Sequence, residues 1–221
     1  MQRVAVVDYG ASNLRSVAKA VAHVATREVE VQVCERPAQL READRIVFPG
    51  QGAIGDCMKQ LRERDLVDVL RECVRTKPFF GICLGLQSLM TNSDEDGGTP
   101  CLDVFAGGVH RFPSGAGPAP DGSPRKIPHM GWNEVHWTRA HPVTQGVPSG
   151  TRFYFVHSYY VAPADDALVL GRTEYIRPFC AALASGFAFA TQFHPEKSSE
   201  AGLRLLANFL RWQPGRIEAL S

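Results

Sequence analysis

Two short stretches carry the residue types of acyl-transfer chemistry: Gly81-Ile82-Cys83-Leu84-Gly85 and Phe193-His194-Pro195-Glu196. A cysteine sulfur attacks carbonyls as its thiolate, an imidazole can take and return a proton, and a carboxylate can hold that imidazole in one tautomer. Pro195 biases His194 toward extended backbone, and along an extended chain residues two apart point to the same side. Glu196 can therefore reach one ring nitrogen of His194 and leave the other facing outward. Cys83 falls where an apolar run (Pro78, Phe79, Phe80, Ile82) gives way to a helical pattern containing Leu84, Gln87 and Ser88. That is the setting of a nucleophile elbow, with Gly81 and Gly85 lacking the Cβ that would clash in so sharp a turn. A helix N-terminus there favours the thiolate. A buried structural cysteine fits the same five-residue pattern, and His-Pro-Glu also makes an ordinary turn. Each stretch gains its meaning from the other.

A third stretch, Pro49-Gly50-Gln51-Gly52-Ala53-Ile54-Gly55, follows a buried apolar run at 45–48. Its glycines leave main-chain N–H groups open to a ligand, as an oxyanion site requires, although a plain loop has the same composition. The remaining spacing of a dinucleotide site and the G-K-[ST] of a phosphate loop are missing, which argues against nucleotide binding.

The elements that must position these stretches follow from periodicity. Residues 3–8 read as a buried strand, Leu14, Val17, Val21 and Val24 as a helix stripe, 28–34 as an alternating strand, and 38–43 as a short helix after Pro37. Leu61, Leu66, Val69, Leu70, Cys73 and Val74 predict one long amphipathic helix leading to the strand before Cys83. Strand and helix thus alternate, the pattern of a mostly parallel central sheet flanked by helices, with ligands beyond the carboxyl ends of the strands. The second half changes to short strand-like pieces at 108–112, 133–137, 152–160, 167–174, 179–184 and 187–193, predicting added antiparallel strands. The Gly/Pro/Ser-rich stretch at 114–124 reads as a loop. Ser198 or Ser199 caps a last helix whose inner face carries Leu203, Leu206 and Leu210. The expectation is an α/β chain forming a single domain over residues 1–221.

Charge narrows the function classes. Lys plus Arg total 24 against 23 for Asp plus Glu, a net charge of +1 that gives no electrostatic case for nucleic-acid or membrane binding. Small molecules or proteins are the expected partners. No apolar run reaches membrane-spanning length and the first residues lack a signal-peptide pattern, so a cytoplasmic location is expected. The 6 cysteines contain no C-x-x-C pair, which points neither to zinc nor to a disulfide scaffold.

FPGQG at 48–52, GICLGLQ at 81–87 and FHPE at 193–196 together resemble the class I (triad) glutamine amidotransferases, in that family's usual order. VAVVDYGASNLRSV, PHMGWNEV at 128–135, FYFVHSYY at 153–160 and FATQFHPEKS extend the similarity over nearly the whole chain, toward the glutaminase subunits of imidazole glycerol phosphate synthase. MGWN and FVHSYY weigh against the rival reading, a glutaminase subunit of another ammonia-using synthase. The resemblance implies that Cys83 attacks the carboxamide of L-glutamine while His194, oriented by Glu196, acts as general acid and base. It implies an oxyanion hole from the N–H groups of Gln51 and Leu84, with Gly50 and Gly52 shaping the loop. A loop that turns Gln51 away would keep the enzyme silent. Gln87, Ser158 and Tyr159 are implied glutamine contacts; an exposed helical glutamine and plain strand residues are the alternatives. No metal or organic cofactor is implied. The ammonia would pass to a separate barrel-shaped cyclase subunit in a heterodimer, and Asn13, Trp132, Tyr154 and Lys197 match positions facing that partner. By themselves these four read as an N-cap, two core aromatics and a solvated lysine. Ser12 departs from the glycine usual in relatives, a change expected to affect the first turn or the interface but not the triad.

Overall fold

The computed structural model describes residues 1–114, 117 and 126–215. Its first half runs β1 (Gln2–Val7), α1 (Leu14–Val24), β2 (Val29–Cys34), α2 (Pro37–Glu42), β3 (Arg45–Phe48), α3 (Ile54–Glu63), α4 (Leu66–Thr76), β4 (Phe79–Ile82) and α5 (Leu84–Gln87). Alternation along the strands decides which helix lies where. Val4 and Val6 of β1 and Val47 of β3 pack with Val17 and Val21 of α1, whereas Ala5, Val7, Ile46 and Phe48 pack with Leu40 of α2, Leu61 of α3 and Leu70 of α4. A strand buried on both faces in this way must be covered by helices on both sides.

The second half adds β5 (Asn92–Ser93), β6 (Thr99–Pro100), β7 (Gly107–Arg111), β8 (His129–Trp137), β9 (Thr151–His157), β10 (Tyr159–Pro163), β11 (Val169–Glu174), β12 (Pro178–Ser185) and β13 (Ala188–Thr191), and closes with α6 (Ser199–Arg211). β2, β1, β3, β4 and β13 lie side by side and parallel. Beyond β13 the sheet turns antiparallel through β12 and β10 to β7, and β11, β8 and β9 branch from β12. α6 supplies Leu205, Leu206 and Phe209 to the α1 face. Among the described residues no helix is long and apolar enough to cross a membrane.

The structure departs from the sequence reading in local detail. The single long helix is two, broken at Asp65, whose left-handed φ of 55° ends α3 and restarts the chain as α4. The helix after Cys83 has only 4 residues, so it offers the thiolate a short dipole. The stretch at 152–160 is two strands, β9 and β10, parted at Ser158. Ser198 precedes α6, but its hydroxyl does not cap the helix: it donates to His194 O at 2.6 Å and accepts from Tyr154 N at 3.0 Å. On α6, Leu205 and Phe209 are fully buried, while Leu203 is only partly covered. The loop reading at 114–124 lies mostly outside the described residues.

Register sets the site. Phe48 of β3 is opposite Gly81 of β4, and Ile82 is opposite Thr191 of β13, so three chain segments leave the sheet at one edge. The turn after β4 is packed without slack, since a Cβ on Gly85 would lie 2.1 Å from Phe48 O. Gly85→Ala is therefore expected to destabilise the chain by about 3 kcal/mol or more, read as a lower urea midpoint, because the clash is with backbone that cannot step aside.

Candidate active site

Cys83 sits between β4 and α5 with φ 53° and ψ −103°, a conformation that L-residues adopt only when the surroundings impose it. Its N–H donates to Thr191 O at 2.7 Å, tying the elbow to β13. β13 ends at Thr191 itself, and the bent segment through Gln192 and Phe193 carries the chain to His194 at the same edge. His194 Nδ1 bonds Glu196 Oε1 at 2.8 Å, with both side chains completely buried. The main chain of His194 is pinned as well, its N–H donating to Tyr154 O at 2.9 Å. Nε2 of His194 is buried and faces Cys83 without closing a hydrogen bond of full geometry, the looser arrangement common in unliganded sites. Burial alone would lower the imidazole pKa, but the neighbouring Cys83 sulfur and then Glu196 outweigh it and raise it. Both neighbours of the ring thus favour its protonated form.

Cys83 opens into a cavity of about 440 Å³ lined by Gln51, Gly52, Leu84, Gln87, Ser158 and Tyr159, and also by Ser12, Glu95 and His157. The Gly50 loop closes one wall: a Cβ there would fall 2.6 Å from both Leu84 Cβ and the buried Tyr9 hydroxyl. Leu84 is the first residue of α5, so its N–H belongs to the set a helix cannot satisfy internally. Gln87 is buried rather than exposed, and its Nε2 donates to Tyr159 O at 3.0 Å and to Gln192 Oε1 at 3.1 Å. Ser12 reaches the loop directly, donating from Oγ to Gln51 Oε1 at 3.3 Å. That residue therefore acts on the wall of the cavity and not only on the first turn.

Trp132, Tyr154 and Lys197 come together on the surface. The two rings meet edge to face at 6.2 Å, Lys197 Nζ lies 5.9 Å from the Tyr154 ring centre, and Met130 beside them is 63% exposed. Asn13 is not part of that patch. It is 5% exposed, makes no side-chain cap to α1, and its Nδ2 approaches Glu196 Oε1 at 3.5 Å. Gln192, His157 and Glu95 were not singled out by the sequence reading. Gln192 lies two residues before His194, and its Nε2 donates to Cys83 Sγ at 3.6 Å. Glu95 and His157 enter through tertiary register. Glu95 Oε2 accepts the Ile54 N–H at 2.9 Å, and burial raises its carboxyl pKa against that bond.

The fold and this constellation are those of a glutamine-cleaving acyl-transfer enzyme, and the comparisons agree. The family model described as "Glutamine amidotransferase class-I" matches residues 5–212. A solved structure titled "Crystal structure of glutamine amidotransferase" shares the fold at a TM-score of 0.70 and 19% identity, over 94% of this chain and 97% of that one. "Imidazole glycerol phosphate synthase subunit HisH" of Methylococcus capsulatus is 55% identical over 215 residues, 97% of this chain and 98% of that protein. The HisH of Aromatoleum aromaticum is 52% identical over 214 residues, 97% and 100% of the two chains. The chain belongs to the class-I glutamine amidotransferases, and within them to the HisH family.

Two outcomes follow from the buried polar groups. Asn13→Ala removes a donor to Glu196, and a fall in kcat of about threefold to tenfold with little change in the KM for glutamine is expected from steady-state assay. His129 and His157 are buried and neutral, their pKa values lowered by burial to about 4 and about 3. Their folded values lie below the unfolded one, so the associated stability is complete above about pH 6.5 and is lost as pH falls toward 4. Denaturant titrations across that window are expected to show a slope about 1.4 kcal/mol per pH unit shallower in His157→Gln, one protonation being removed.

Proposed function

We propose that the chain is the glutaminase half of an imidazole glycerol phosphate synthase, working in histidine biosynthesis. The observation that carries this reading is the His194–Glu196 pair at 2.8 Å behind Cys83, which itself lines a cavity of about 440 Å³, a size suited to an amino acid. The Cys83 thiolate attacks the side-chain carbonyl of glutamine. The tetrahedral oxyanion is received by the N–H groups of Leu84 and Gln51, the latter presented by the Gly50–Gly52 loop. His194 gives its proton to the departing ammonia and then takes one from the water that releases glutamate from the thioester. Glu196 keeps the imidazole in the tautomer this needs. Gln87, Ser158 and Tyr159 hold the main-chain end of glutamine, and the Glu95 carboxylate is suited to the α-ammonium group.

Ammonia released into bulk water is protonated and loses its nucleophilicity, so it is handed to a cyclase subunit in a heterodimer. That subunit turns its nucleotide intermediate into imidazole glycerol phosphate and aminoimidazolecarboxamide ribonucleotide. The exposed Trp132, Lys197 and Met130, with the half-buried Tyr154 among them, support a protein contact at this rim, since aromatic and methionine side chains are enriched at interfaces. Asn13 serves the triad from beneath that contact. The chain works as one catalytic domain over 1–221, in the cytoplasm, where the cyclase and its nucleotide are expected.

The test is glutamate release from glutamine by the chain alone, and then with the cyclase subunit and its nucleotide. Strong stimulation that disappears in Cys83→Ala is expected; equal activity with and without the partner would overturn the assignment to this synthase.

A further inference from the structure

The polar side chains behind Cys83 form a hydrogen-bonded chain whose direction is fixed at every link. The Tyr159 carbonyl can only accept, and it takes His157 Nδ1–H at 2.7 Å and Gln87 Nε2–H at 3.0 Å, which fills both lone pairs. His157 is neutral with its proton on Nδ1, so its Nε2 is an acceptor and His129 Nδ1 must donate to it at 3.0 Å. His129 Nε2 is then an acceptor too and takes Asn133 Nδ2–H at 3.3 Å. On the other side, the Gln87 amide nitrogen also donates to Gln192 Oε1 at 3.1 Å. That bond decides which end of the Gln192 amide faces the sulfur. With Oε1 engaged by Gln87, Nε2 is the end presented to Cys83 Sγ, at 3.6 Å. Gln192 is 0% exposed and its own N–H donates to Ala181 O at 2.8 Å, so neither its backbone nor its amide is free to wander.

We propose that Gln192 is a positioning residue for the nucleophile, supplying the Cys83 sulfur with a fixed N–H donor whose orientation Gln87 and Tyr159 enforce. The inference rests on the reading of Cys83 as nucleophile. Titratable groups around the sulfur include His194, with Glu196 behind it, and Tyr9, while Glu95 and His157 line the same cavity as Cys83. His194 must give up its proton to ammonia during the reaction, and at that moment it ceases to balance negative charge. Gln192 is neutral and cannot do so, so its N–H stays available whenever the sulfur carries charge, as the thiolate before attack and again when glutamate leaves. If the amide were turned over, its oxygen would face the thiolate and oppose it. The bond from Gln87 prevents that turn, which gives Gln87 a second task besides touching substrate.

The experiment is the pH dependence of Cys83 alkylation by iodoacetamide, followed by peptide mass spectrometry on the full-length chain without glutamine. Gln192→Met removes the donor while keeping bulk, and alkylation at neutral pH is expected to fall about tenfold with the whole profile moved to higher pH. Gln192→Glu should fall further, because a carboxylate then faces the sulfur. Gln87→Leu keeps Gln192 but frees its amide to turn, and an intermediate loss is expected; this variant carries the test if the Gln192 variants fold poorly. Profiles in all folded variants that superimpose on wild type would overturn the proposal. A wild-type chain in which Cys83 reacts no faster than the other cysteines would instead overturn the nucleophile reading beneath it.

Discussion

The backbone of Cys83 is the constraint on which the site depends. A φ of 53° with ψ −103° costs about 1–3 kcal/mol for a residue with a side chain, and the chain holds it only because the surroundings leave no other conformation. β4 is clamped between β3 and β13, the Cys83 N–H is bound to Thr191 O, and the next turn presses on Phe48 O through Gly85. The same contacts that force the strain also aim the sulfur, since all three neighbouring strands end at this edge. Stability of the sheet and exposure of the nucleophile are thus one property.

Placing charge in so buried a place demands compensation, and the compensation comes in layers. Glu196 and His194 are buried as a bonded pair, which avoids the several kcal/mol an isolated buried ion would cost. The carboxylate has a second donor in Asn13, and the sulfur has one in Gln192. Behind them the neutral histidines His129 and His157 carry directional hydrogen bonds without adding a cation that would compete with His194. Ser198 fixes the segment from below, joining the His194 carbonyl to the Tyr154 N–H, and so connects the catalytic turn to the strand that bears Tyr154 of the aromatic patch.

Much of this was legible in the sequence where a period was involved. Buried runs gave the parallel strands, and the His-Pro-Glu spacing pointed to the His194–Glu196 bond, although Pro195–Lys197 form a 3-10 turn instead of the extended chain expected there. Gln192 is as near to His194 in sequence as Glu196 is, but it reaches the sulfur through a bend that no period announces. Other features depend on tertiary register and leave no local trace. Asn13 and Glu196 are 183 positions apart, and only the packing of α1 beside the turn after β13 brings them together. The His129–His157 bond exists because β8 and β9 pair those two residues directly. The break at Asp65 did leave a trace, since Leu61 and Leu66 are five residues apart and would lie about 140° apart on one continuous helix. Asn13 shows the remaining difficulty: a position that resemblance assigned to the partner face turns out to reach the triad.

The central claim is that glutamine is cleaved through a covalent bond to Cys83, and mass spectrometry of the acid-quenched chain during turnover with the cyclase subunit tests it most directly. A glutamyl group on the peptide that contains Cys83, present at the earliest times and absent in Cys83→Ala, is the predicted result. Glutamate released at the full rate with that peptide unmodified throughout, or undiminished by Cys83→Ala, would contradict it.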